Sequence, residues 1–212
     1  MPDAMSLRQI SLKPAGGRVG LLAAVAVLAS TLAGCGGGNP LDNPTDVANP
    51  PATGTRKLSF AYFQRCVQPI LVAQLPVTIN GATTLNSCAS AGCHDDTSGT
   101  GGALRVRGGA VAVDLAATPE AIRASDMYRN FYSSQGEVVF GNALASRLVA
   151  KPLVLNVLHG GGIVFDSVED PNVKIMRYWI EHPMPEGQDE FSTAGNALFT
   201  PPDAATGACN VE

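Results

Sequence analysis

Cys88-Ala89-Ser90-Ala91-Gly92-Cys93-His94 brings two thiols and an imidazole together in one short stretch. Two such thiols can add to the vinyl groups of a haem and hold it covalently. A histidine directly after the second thiol can then bind the iron from below. The usual spacing for this chemistry is C-x-x-C-H. Here four residues separate Cys88 from Cys93, so the backbone between the thiols must loop outward. A second imidazole, His159, opens the string His159-Gly160-Gly161-Gly162, where small residues let the main chain approach a flat macrocycle closely.

Other chemistries for these residues have less to stand on. A Cys88–Cys93 disulfide with no cofactor uses the same two thiols, and counting cysteines does not separate the two readings. Zinc held by Cys66, Cys88, Cys93 and His94 or Cys209 would want pairs of ligands in short hairpins, and one such pair is visible. His-Gly-Gly-Gly also occurs in lipase oxyanion holes, but no G-x-S-x-G elbow accompanies it here. The glycine-rich run Gly99 to Gly102 lacks the Lys-Ser/Thr that a phosphate cradle requires.

The start of the chain reads as a targeting segment and stands outside fold reasoning. Arg8, Lys13 and Arg18 precede an apolar run from Gly20 to Leu32, which is too short for a stable membrane span. Leu32-Ala33-Gly34-Cys35 looks like a bacterial lipobox, in which the peptidase cuts before the cysteine and the cysteine is lipidated. Residues 1–34 are then a lipoprotein signal peptide and Cys35 a lipid anchor. The remaining 178 residues carry 11 basic and 17 acidic side chains, a net charge of −6. With no basic stripe to release counterions from phosphate, nucleic acid is not an expected partner.

Residues 35–57 hold three consecutive glycines and four prolines and almost no large apolar groups. They read as a flexible tether, spanning on the order of 30 Å. The folded part is expected over 58–185. Phe60, Phe63, Val67, Ile70 and Leu71 recur at helical spacing over Leu58 to Gln74, with Pro69 set to bend or split that helix. Residues 76–87 read as polar and irregular, and Ala103 to Val106 and Ala110 to Leu115 as short extended pieces. Thr118-Pro119-Glu120 starts a helix running to about Phe131. A shorter helix spans Asn142 to Lys151, and Asp170-Pro171 opens a last one that Pro183 ends. Residues 186–212 read as a surface tail. The expectation is a mainly α fold with long loops and a few short extended segments.

An ordered set of features resembles the small cytochrome c-type domains of the planctomycete type, over roughly residues 58–182. An aromatic helix ending Val67-Gln68-Pro69-Ile70-Leu71 precedes the cysteine motif. Gly102-Ala103-Leu104-Arg105-Val106, Ser146 to Leu153, His159-Gly160-Gly161-Gly162 and a helix with Tyr178-Trp179-Ile180 follow. The wider C-x4-C-H spacing is itself similar to attachment sites in some multihaem cytochromes c. The resemblance implies a cytochrome c-like helical domain whose first and last helices cross. It implies haem c attached through Cys88 and Cys93, with His94 as proximal iron ligand and His159 as distal ligand, Met184 being the alternative. Met184 follows the last helix, whereas such a methionine normally precedes it. A His/His iron would have a lower potential than a His/Met one.

With both axial positions filled, the expected role is one-electron transfer with redox proteins of the cell envelope rather than catalysis. Cys66 and Cys209 remain as a possible disulfide, natural in an oxidising periplasm. The protein would face the periplasm on its lipid anchor. No aspartate follows Cys35 at the second position, which favours the outer membrane. The competing class is a cofactor-free envelope lipoprotein, a binding or structural module bridged Cys88–Cys93 and Cys66–Cys209. The discriminating feature is a concave apolar pocket holding Cys88, Cys93, His94 and a second ligand.

Overall fold

Pro69 sets the shape of the first helical segment. A computed structural model describes residues 56–211, so the signal segment, Cys35 and nearly all of the tether lie outside the described residues. The apolar stripe forms as α1 (Phe60–Tyr62), a π-helical turn (Phe63–Val67) and α2 (Gln68–Val72). Proline has no N–H to offer the carbonyl one turn back. Just ahead of it the ladder widens, and the Gln68 N–H donates to the Phe63 carbonyl five residues back. Ser59 caps the start, its hydroxyl accepting from the Tyr62 N–H at 3.2 Å.

Residues 76–87 are not the irregular stretch the sequence suggested. They belong to a hairpin of β1 (Leu75–Ile79) and β2 (Ala82–Asn86), antiparallel in the register Thr78↔Thr83 and Ile79↔Ala82. Asn80 and Gly81 form its two-residue loop at φ +50° and +80°. That is the conformation a twisted hairpin requires and Asn-Gly readily supplies.

The helix expected from Thr118 to Phe131 is two helices, α3 (Pro119–Arg123) and α4 (Asp126–Gln135). Ser125 causes the break. Its hydroxyl donates to the Ile122 carbonyl at 2.6 Å, ending α3, and accepts from the Tyr128 N–H at 3.1 Å, starting α4. The helix expected over Asn142 to Lys151 shrinks to α5 (Arg147–Ala150). The final helix, α6 (Pro171–Glu181), starts where the sequence indicated, with the Asp170 carboxylate accepting from the Asn172 N–H at 2.7 Å.

The first and last helical segments meet in an aromatic core. Phe63 and Trp179 lie 5.4 Å apart between ring centroids, Phe63 and Phe131 5.6 Å. The Trp179 indole N–H donates to the Ser59 carbonyl at 3.0 Å. Residues 186–212, expected as a surface tail, supply Glu190, Leu198 and Phe199 to the buried interior. They form a 3₁₀ turn (Thr193–Leu198) and a two-residue ladder of β3 (Phe199–Thr200) and β4 (Ala208–Cys209). Cys209 is bridged to Cys66 with Cα atoms 6.1 Å apart, joining this segment to the first helical segment.

A mainly α, cytochrome c-like helical domain is therefore not what the chain forms. Helix of all kinds makes up 31% and strand 11% of the described residues, in six short α-helices, a π-helical turn, a 3₁₀ turn and two small antiparallel sheets. Serine caps, proline and the Asn-Gly turn cut the periodic stretches short. Much of the remaining backbone is satisfied by turns and side-chain bonds instead of helix ladders.

Candidate functional site

Cys88, Cys93 and His94 sit on a loop that hangs from α2 and β2. The Ala89 N–H donates to the Leu71 carbonyl at 3.2 Å, holding the loop to the end of α2. Within it the Cys93 N–H donates to Ser90 at 3.0 Å and the His94 N–H to the Cys88 carbonyl at 2.9 Å. The four residues between the thiols thus wrap into turns, with Ala91 and Gly92 exposed. This is the outward loop that the wide spacing demanded. Neither Cys88 nor Cys93 is in a disulfide. The Asn86 amide, at the end of β2, approaches Cys93 Sγ at 3.7 Å. Burial first, then the neighbouring Cys93 thiol, pushes the Cys88 thiol up to about 11.

The chain after His94 folds back under its ring. The Val106 N–H donates to the His94 carbonyl at 2.7 Å. Residues 105–107 are fastened to α4, with the Arg105 N–H donating to Ser133 Oγ and the Arg107 N–H to Asn130 Oδ1, both at 2.7 Å. That run brings the Leu104 carbonyl to 3.2 Å from His94 Nδ1. A carbonyl oxygen can only accept, so Nδ1 carries the proton and Nε2 keeps its lone pair. Burial holds the His94 imidazole below its usual value. The Leu104 carbonyl opposes that shift, while His159, Arg105 and Lys151 add to it. A neutral ring with one nitrogen tied to a carbonyl is the form that ligates metal.

His159 is built in the same way on a different loop. Its Nδ1 donates to the Gly162 carbonyl at 2.7 Å, again leaving Nε2 as the nitrogen for a metal. This loop is pinned to the hairpin, with Thr78 and Ile163 exchanging both main-chain hydrogen bonds at 2.8 and 2.9 Å. The route to it from α5 passes through Val154 and Asn156, both at φ +53°. For a β-branched residue such as Val154 that conformation is strained, and strain of this kind gathers at sites where the fold over-determines the backbone.

The two imidazoles face each other with ring centroids 6.2 Å apart and planes 10° from parallel. A metal ion held at this site would be taken by one imidazole from each loop. Two cavities flank the pair, of about 330 and 40 Å³, and both are lined by Cys88, His94, Lys151 and His159. Leu75, Val77 and Val164 add apolar wall to the larger, and Ile70, Leu148 and Met176 to the smaller. Arg147 and Lys151 lie at the smaller cavity, where cations can pair with carboxylates of a bound group.

The structure thus brings Cys88, Cys93, His94 and His159 together. Met184 is not with them. It is buried beside Gly195, its main-chain N–H donating to the Lys57 carbonyl at 2.7 Å, and it lines neither cavity. Cys66 and Cys209 are spent in their disulfide. Among the described residues, no group of three or more His, Cys, Asp or Glu side chains is placed to hold a metal ion. The hairpin residues Leu75, Val77 and Asn86 went unrecognised as cavity wall, although Asn80-Gly81 between two β-rich runs carried the signal.

No family model, no curated protein and no solved structure matches this chain. Among the described residues no helix is long and apolar enough to cross a membrane.

Proposed function

We propose that this chain is a one-electron carrier that holds haem c through Cys88 and Cys93 and ligates its iron with His94 and His159. The observation that carries this reading is the near-parallel pair of imidazoles at 6.2 Å, each with Nδ1 tied to a main-chain carbonyl. Bound haem would supply a reversible one-electron iron couple. The chain's own residues attach it, present two Nε2 lone pairs, and wall it with aliphatic side chains. With an imidazole from each loop on the iron, no coordination position would be left for a substrate, which favours transfer over catalysis. In this reading the lipobox cysteine, Cys35, anchors the carrier in the envelope facing the periplasm, with the outer membrane favoured, and its partners are redox proteins there.

The Cys66–Cys209 disulfide also fits a cofactor-free envelope lipoprotein. That reading calls for a second bridge between Cys88 and Cys93, and both thiols are free. Expression beside a cytochrome c maturation system separates the two. A pyridine haemochrome spectrum that survives acid-acetone extraction supports covalent haem. A colourless protein from competent cells would leave the disulfide-bonded module as the better account.

A further inference from the structure

Gly162 stands where three constraints on the His159 loop meet. Its carbonyl accepts from His159 Nδ1 at 2.7 Å, and its N–H donates to the His159 carbonyl at 2.9 Å. Its φ of +80° lies in the region that side chains other than glycine rarely adopt. A Cβ added there would stand 2.3 Å from the Thr78 carbonyl oxygen and 2.6 Å from Ile79 Cγ1. The contact on that side is the hairpin itself, because Ile163 pairs with Thr78 through both main-chain hydrogen bonds.

We propose that Gly162, clamped against β1, is the positioning residue of the distal imidazole: it sets the ring's tautomer and aims Nε2 at the iron. This rests on the haem reading above. The clamp explains why His159, on a loop far along the chain from the cysteine motif, is held with its ring centroid 6.2 Å from that of His94. Fastening the loop to β1, whose partner β2 leads directly into Cys88, makes one rigid piece of the hairpin and both ligand loops. A ring held by its own turn alone would rotate about its side-chain torsions.

Three variants test this in the holoprotein. Gly162→Ala adds the colliding Cβ. Ile163→Pro removes the N–H that reaches Thr78, and it decides the matter if Gly162→Ala does not fold. Gly187→Ala puts the same strain, φ +79°, at a glycine whose Cβ would meet nothing within 4 Å, and controls for general destabilisation. The expected result is haem retained through acid-acetone extraction in all three, with high-spin absorption appearing in the first two alone. Added imidazole should restore their low-spin spectrum, with an apparent affinity about tenfold above wild type as the open fraction rises.

Wild-type spectra and imidazole affinity in both clamp variants would overturn the proposal. A colourless wild-type protein overturns the haem reading instead, and the ring-nitrogen spectrum of His159 in the haem-free chain then decides the clamp. An Nδ1–H tautomer in wild type and Gly187→Ala that averages out in Gly162→Ala supports it. The same tautomer in all three sinks it.

Discussion

At the scale of the residue, the two histidines are alike in construction and differ in how far the sequence announces them. His94 follows a thiol pair in one short stretch of sequence. His159 is announced by three glycines, the third of which supplies its partner carbonyl. On the proposed haem reading, the roles separate by mutation. Cys93→Ser should abolish haem that resists acid-acetone extraction. His159→Ala should keep the haem attached and turn a low-spin spectrum high-spin, as read by absorption. An unchanged spectrum and potential in His159→Ala would mean that some other group is the distal ligand.

Elements explain why those side chains stand where they do. The hairpin is the piece that matters most, since β1 holds the His159 loop and β2 leads into Cys88. Gly81→Val puts a β-branched side chain at φ +80° and should cost about 1–3 kcal/mol, measured by urea unfolding of the haem-free chain. A second element-scale device is Glu190, buried at the joint between α3, α4 and the C-terminal segment. It accepts from Tyr128 at 2.7 Å and pairs with Arg123 at 3.0 Å. Burial raises its carboxyl, but its own backbone N–H, the Tyr128 hydroxyl and the Arg123 guanidinium outweigh that and hold it below the usual carboxylate value. A carboxyl depressed on folding stabilises above its unfolded value and loses that contribution as pH falls through the folded one. Stability should therefore decline below about pH 4.5. Glu190→Gln should flatten that decline and cost about 1–2 kcal/mol at pH 7, with Arg123 half-exposed and partly screened. An equally steep acid limb in Glu190→Gln would move the pH dependence to other carboxylates.

For the whole molecule, the Cys66–Cys209 bridge closes a loop of 143 residues. It joins the first helical segment to the last strand. Cross-links over loops of this length stabilise by about 2–5 kcal/mol. Replacing both cysteines by alanine should lower Tm by about 6–15 °C for a chain of this size, checked by calorimetry with and without reductant. The imidazole pair is fastened by bonds that do not pass through the bridge, so on the proposed haem reading attachment should survive the loss. What the sequence by itself determined is local chemistry and local stops: the thiols and imidazole of the motif, the apolar stripe at Phe60 to Leu71, and the Asp170-Pro171 start. Ser125 splitting a helix and Asn80-Gly81 closing a hairpin were equally local, and the helical period around the one and the polar look of the other hid them. Only the tertiary structure decided which distant pieces meet. The C-terminal segment enters the core because Phe199 and Leu198 have apolar partners there and Cys209 has Cys66. His159 faces His94 because a main-chain bridge between Thr78 and Ile163 holds its loop, and a bond between two backbones leaves no mark on side-chain pattern.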